Sequence, residues 1–189
     1  FTLNELIKDF DISEVQKAGA IFDITKLDWI NSQHLNNLSK ESFKTHIMPF
    51  IDNLGIDYSQ YQQLDELIEA MRSVKPNLQL IAQALIPYLD TFKEYDEKGV
   101  SKFLIGSEET LKLVIESLET IKSWSEVEID SMLVKIQEKL GLKTPQMNQP
   151  IRIALTGSTQ SPSLGLTIKL MGRNKSIELL NKALKFITK

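Results

Sequence analysis

The sequence predicts a mainly helical fold on three observations. Apolar residues recur at helical spacing, capping signals precede most of those stretches, and no long Pro/Gly linker, low-complexity run or internal repeat interrupts them. Taken in order, Thr2 and Glu5 have capping-box spacing ahead of Leu6, Ile7 and Phe10. Asp23 can cap a helix through ITKLDWINSQHL, and Ser39 another through KESFKTHIMPFIDNL, which Gly55 ends. In YQQLDELIEAMRSV a stripe of Leu64, Leu67, Ile68 and Met71 runs until Lys75 and Pro76 break it. NLQLIAQALIPYLDTFKEY reads as a further helix, kinked or interrupted by Pro87. After Gly106, Ser107 starts a helix whose apolar face is Leu111, Val114, Ile115, Leu118 and Ile121. Ser125 and Glu128 repeat the capping-box spacing before Ile129, Met132, Leu133, Ile136 and Leu140, and Gly141 stops that helix. KSIELLNKALKFI then sets Ile177, Leu180, Leu184 and Ile187 at helical spacing.

One region resists this reading. Ile151, Ile153 and Leu155 alternate with other residues in IRIALTG, as do Leu164, Leu166, Ile168 and Leu170 in LGLTIKL. Period-two alternation on both sides of a polar turn is a hairpin signature. Against it, Ser161 followed by Pro162 is a good helix start, and a lone two-stranded hairpin is poorly supported. Helix and hairpin both stay open on local pattern.

Composition narrows the chemistry. With 189 residues, 42% of them apolar and 25% charged, the chain can bury a substantial core as an ordinary soluble protein. No apolar run approaches the roughly 20 residues that cross a bilayer, so no membrane role is expected. The chain begins at Phe1 and carries no secretory signal, as expected for a piece of something longer. It has no cysteine, which excludes disulfides and thiolate chemistry and fits a reducing, cytoplasmic setting. His34 and His46 are the only histidines and have no metal-ligand spacing, so they read as packing or surface residues. No Gly-rich phosphate loop occurs, and the carboxylates look like solvated loop and helix-start charges. A non-catalytic helical module with no bound metal or cofactor is the expectation.

The net charge of −3 is unevenly spread. Residues 1–141 carry 14 Lys/Arg against 24 Asp/Glu, whereas residues 142–189 carry 8 Lys/Arg against Glu178 alone. Clustered cations gain by releasing counterions from a phosphate backbone, so the last segment suits a polyanion. The alternative is a solvated basic tail, in a helical protein-interaction domain, that docks an acidic partner.

Two blocks carry a resemblance. DISEVQKAGAIFDITKLDWINSQHL, at 11–35, resembles the segment after the catalytic domain of bacterial glutamyl-tRNA synthetases, through Val15, Lys17, Ala20, Phe22, Asp23, Lys26, Leu27, Trp29 and Asn31. His34 stands where that family usually has tyrosine. The second block is similar to the family's Pro-aliphatic-Arg-x-Ala-Leu-Thr-Gly stretch and to the polar run and Leu-Gly beyond it. It matches at Pro150, Arg152, Ala154, Leu155, Thr156, Gly157, Pro162, Leu164, Leu170 and Gly172.

The resemblance implies an all-α helical bundle or cage in two subdomains, the anticodon-binding region of a class I synthetase. Residues 1–35 would be a connector to a catalytic domain absent from this sequence, 36–107 a first subdomain and 108–189 a second. The parent would use ATP and Mg²⁺ to attach glutamate to tRNA, while this part alone would be inactive. Its partner would be the tRNA anticodon loop, and a monomer is expected. By resemblance, Arg152, Ser161, Pro162 and Leu164 would contact anticodon bases, a task suited to guanidinium, hydroxyl and apolar groups. Tyr88 occupies the position where members strict for tRNA(Glu) often carry an arginine. A tyrosine cannot make a forked contact, so discrimination against tRNA(Gln) would be relaxed or handled elsewhere.

Overall fold

The computed structural model describes residues 1–15, 19 and 21–188. Lys17 and Ala20, two of the residues that carry the resemblance, lie outside the described residues. Helices are α1 (Leu3–Asp9), α2 (Ile24–Asn37), α3 (Lys40–Asp52), α4 (Leu64–Met71), α5 (Leu78–Leu89) and α6 (Glu97–Gly99). They continue as α7 (Glu108–Thr120), α8 (Glu126–Leu140), α9 (Thr144–Thr156), α10 (Leu164–Met171) and α11 (Arg173–Ile187). A π turn, Val100–Leu104, extends α6. No strand occurs among the described residues, so the fold is all-α.

The caps behave largely as the sequence anticipates. Thr2 and Glu5 form the reciprocal capping box, and the side chains of Asp23 and Ser39 accept backbone N–H groups from Lys26 and Ser42. Ser125 accepts from Glu128, and Gly141 closes α8 in the left-handed region at φ 62°. Ser107 differs: its hydroxyl donates backwards to the Leu104 carbonyl at 2.6 Å instead of capping α7. Pro87 does not interrupt α5. It sits in the last turn and is buried, and the helix ends two residues later.

The alternation around residues 151–170 has a helical explanation. Ile151, Ile153, Ala154, Leu155 and Thr156 are all buried, because α9 packs against α5, α7, α10, α11 and the π turn. From Pro150 to Thr156 every residue but Arg152 is buried, so this half of the helix shows almost no polar face and its sequence carries no clear period. Leu164, Gly165, Thr167, Ile168, Leu170 and Met171 of α10 are buried likewise. The start of α10 also shifts from the expectation. Its cap is Ser163, which accepts from the Leu166 N–H, and Ser161 and Pro162 belong to the preceding turn.

Packing falls into a group of α3, α4 and α5 and a group of α7 to α11, joined where α5 meets α9. One continuous core runs through both, with Phe43, Ile47, Leu67 and Leu85 on one side and Leu111, Leu118, Ile129 and Leu180 on the other. Each such fully buried side chain contributes about 1.5–3 kcal/mol relative to exposure. The π turn packs on α9. The amino-terminal part is different: α1 buries none of its residues, and Phe1, Ile7, Phe10, Phe22 and Trp29 are exposed. α2 is tied down at its other end. Asn31 donates to the Pro76 carbonyl at 2.7 Å, and the Arg72 guanidinium donates to the carbonyls of Leu35 and Leu38.

Cations from distant segments close several helix ends, where the last carbonyls lack partners. Besides Arg72 on α2, Lys175 Nζ donates to the Tyr88 and Asp90 carbonyls at 2.9 and 2.8 Å, at the end of α5. Arg173 donates to the Glu119 and Ile121 carbonyls at the end of α7 and stacks 5.2 Å from the Trp124 ring centroid. Burial holds the Lys175 ammonium below its ordinary pKa, partly opposed by Asp90 and Glu178.

Candidate functional site

The turn between α9 and α10 is built on Gly157. It caps α9 at φ 70°, a conformation that disfavours any side chain. Space demands glycine as well: a Cβ there would lie 2.8 Å from both the Glu94 carbonyl and the Phe92 ring. Residues 92–96 therefore run hard against the turn, and the Asp96 N–H donates to the Gly157 carbonyl at 2.7 Å. This clamp fixes where residues 158–163 emerge. Gly165 is a second tight point, because a Cβ would overlap the Asp130 carboxylate. Burial raises the Asp130 pKa, nearby Glu126 raises it further, and the Gly165 amide partly offsets both. Glu126 also accepts from the Ser163 hydroxyl at 2.7 Å, so α8 supplies two acids to the start of α10.

Outside the turn lies a depression of about 450 Å³, lined by Ser73, Arg152, Thr159, Gln160, Ser161 and Pro162, with Val74 and Ser163. Arg152 projects into it from α9. Its Nη1 donates to the Ser161 carbonyl at 3.3 Å, and its buried Nε has no partner among the described residues. Burial lowers the Arg152 pKa, an effect opposed by Tyr88, yet a guanidinium stays charged. The depression thus holds a half-buried cation with unspent donors, ringed by hydroxyls.

Of the residues singled out in the sequence, Arg152, Ser161 and Pro162 come together at this surface. Leu164 does not reach it; at 4% exposure its side chain is core. Tyr88 is only 2% exposed and presents no face or hydroxyl to a ligand. It stands beneath the site instead. Its hydroxyl donates to Thr167 Oγ1 at 3.3 Å, and Thr167 donates to Ser161 Oγ at 3.1 Å. Burial pushes the Tyr88 phenol up to about 12, against the opposing effects of Thr167 and Arg152. Position along the chain could not reveal this depth, which depends on α5 packing against α9.

Sequence reasoning also missed residues at the surface. Lys75, in the loop after α4, donates to Gln160 Oε1 at 2.6 Å, across 85 positions. Its only signal was a lysine beside a helix-breaking proline. Conversely, the basic carboxy-terminal segment is less available than its charge suggests. Lys169 pairs with Glu66 at 2.6 Å, while Arg173 and Lys175 are engaged at helix ends.

The anticodon binding domain family matches residues 33–184, a stretch that includes the whole depression. A glutamate tRNA ligase from Elizabethkingia meningosepticum, solved with its amino acid, shares the fold with a TM-score of 0.75 at 22% identity. The match covers 97% of this chain and 36% of that one. A glutamate-tRNA synthetase from Elizabethkingia anophelis aligns with a TM-score of 0.72 at 22% identity, over 96% of this chain and 36% of that one. The chain therefore spans about a third of the length of these structures. Nothing in these matches favours a protein-docking module with a basic tail. From the family match over most of its length and the helical architecture around the Gly157 turn, this chain belongs to the anticodon-binding domain family.

Proposed function

We propose that this chain is the anticodon-reading part of a glutamate–tRNA ligase. It holds the anticodon loop of tRNA so that the acceptor end reaches a catalytic portion outside this sequence. That portion uses ATP and Mg²⁺ to join glutamate to the tRNA, and this chain alone is inactive in the reaction. Residues 1–35 form the connector, their exposed apolar side chains packing on the catalytic portion. Residues 36–107 and 108–189 form the two helical subdomains. The ligase works as a monomer in the cytoplasm.

The observation that carries this reading is Arg152: a half-buried guanidinium in a hydroxyl-lined depression inside the matched region, whose Nη1 makes one long bond to the Ser161 carbonyl at 3.3 Å and whose Nη2 has no partner among the described residues. Unstacked bases offer acceptors to such donors. Ser161 and Pro162 shape the wall beside the guanidinium: Pro162 is buried, and the Ser161 hydroxyl accepts from Thr167 and donates to the Pro162 carbonyl. Leu164 and Tyr88 support the surface from below. A charge-assisted hydrogen bond to a base contributes about 1.5–3 kcal/mol. Arg152→Ala should therefore weaken binding of a tRNA(Glu) anticodon stem-loop about 10- to 100-fold in a fluorescence titration. Wild-type protein that binds no stem-loop even at low salt would overturn the proposal.

Because Tyr88 is buried, it offers no forked contact to the third anticodon base. The longer ligase is accordingly proposed to accept tRNA(Gln) as well as tRNA(Glu). Glutamate charging of both purified tRNAs measures this, and strict rejection of tRNA(Gln) contradicts it.

A further inference from the structure

A second hollow adjoins the Arg152 depression. It is a groove of about 620 Å³ between α5 and the turn, lined among others by Ile86, Pro87, Phe92, Lys93, Thr156 and Gln160. Among the described residues, Gln160 is the one that lines both the groove and the depression. Its exposed side chain forms the saddle between them. Its backbone is fixed there by its N–H donating to Ser158 Oγ at 3.2 Å.

The orientation of the Gln160 amide is dictated by chemistry. Lys75 Nζ lies 2.6 Å from one end of it, and an ammonium only donates, so that end is the carbonyl oxygen. The amide nitrogen, with two N–H donors, must then face away from Lys75. It has no partner among the described residues. Lys75 is itself partly desolvated, which lowers its pKa, and it takes one of the two lone pairs on the carbonyl oxygen. A free glutamine can turn its amide over to suit donor or acceptor. With its oxygen turned to Lys75, this one presents its N–H donors on the side away from the lysine.

We infer that Gln160 is a specificity-determining residue, selecting at one anticodon position for bases that present a carbonyl acceptor, with Lys75 as its positioning residue. This rests on the RNA-reading proposal for the adjoining depression. Uracil offers O4 and guanine offers O6, whereas cytosine and adenine present amino donors at the corresponding edge and meet the amide donor-to-donor. Arg152 supplies attraction at the depression, and Gln160 supplies choice at its border.

The test is titration of the protein with anticodon stem-loops in which each anticodon base in turn is exchanged, uracil for cytosine or guanine for adenine. Wild type should prefer the carbonyl-bearing base at one position by about tenfold. Gln160→Ala should abolish that preference and leave the other two positions unaltered. Gln160→Glu offers only acceptors and should reverse the preference toward the amino-bearing base. Lys75→Met frees the amide to flip and should flatten the same position. The inference is overturned if both Gln160 variants keep wild-type base preferences, or if Gln160→Ala lowers affinity equally at all three positions. In those cases weakened binding by Arg152→Ala would still uphold the RNA-reading proposal. Absence of any stem-loop binding by wild type would sink both.

Discussion

Gly157→Ala is expected to lower stability by about 3 kcal/mol, the largest effect of any small substitution in the turn. Two costs combine. The left-handed backbone at φ 70° carries a penalty of about 1 kcal/mol for a residue with a Cβ. The added methyl also meets the Glu94 carbonyl and the Phe92 ring at 2.8 Å. One of those neighbours is backbone and cannot rotate away, so the 92–96 segment or the turn itself has to move, at a further cost of about 1–3 kcal/mol. For a chain of this size the sum corresponds to a fall in Tm of about 6–12 °C. Gly141→Ala is the matched control. Its φ is 62°, but nothing lies within 4 Å of its Cβ position, so it should lose only the backbone part. Equal Tm losses for the two variants would show that the close approach at Gly157 carries no weight. Because the clamp sets where residues 158–163 emerge, Gly157→Ala should also weaken stem-loop binding at temperatures where it remains folded.

Arg72→Met is expected to cost about 3 kcal/mol. The guanidinium donates from Nε to the Leu35 carbonyl at 2.9 Å and from Nη2 to the Leu35 and Leu38 carbonyls. It also lies 4.7 Å from the Phe43 ring centroid and bridges to Glu69 at 3.4 Å. Methionine keeps much of the volume over Phe43, so the loss isolates the donors. The Leu38 carbonyl would lose its partner and the Leu35 carbonyl would keep only the Leu38 N–H at 3.2 Å, in a partly buried corner where unsatisfied acceptors are expensive. Urea denaturation measures the cost. Arg72→Lys should recover only part of it, since an ammonium lacks the planar fork that spans both carbonyls. Full stability of Arg72→Met would mean that α2 is held by its other contact, Asn31 on Pro76.

The range of each interaction decides how much of this was legible in the sequence. Caps are local, and Thr2, Asp23, Ser39, Ser125 and Gly141 act within three or four residues of themselves, where their signals lie. Amphipathic stripes are legible for a related reason: α4, α7 and α8 have one face in water and one in the core. The stretch from Ile151 to Leu170 failed as a pattern because the second half of α9 and most of α10 are buried, and burial on nearly all faces erases the contrast that periodicity needs. Site residues were harder still. Arg152, Ser161 and Pro162 were named through a family resemblance carried by their neighbours in the chain, whereas the depth of Tyr88 and Leu164 is tertiary information. The amide orientation of Gln160 depends on a lysine 85 positions away, a distance at which sequence carries no physical signal. Net charge misled in one respect, since it counts Arg173 and Lys175 as free although both are bound to carbonyls.

Those cross-chain cations bear on whether the two proposed subdomains can exist apart. Lys175 of α11 closes the end of α5, Lys169 of α10 holds Glu66 of α4, and Tyr61 ahead of α4 donates to the Leu170 carbonyl of α10. The Asp96 amide and the Gly157 carbonyl join the two parts again at the turn. A cut at residue 107 would leave every one of these donors or acceptors facing water in a fragment that also lost the shared core. The halves are separable as a description of which surface touches which part of a ligand. In folding they are expected to act together, so thermal unfolding should show one transition by circular dichroism and by tryptophan fluorescence alike; two separate transitions would show that the halves stand alone.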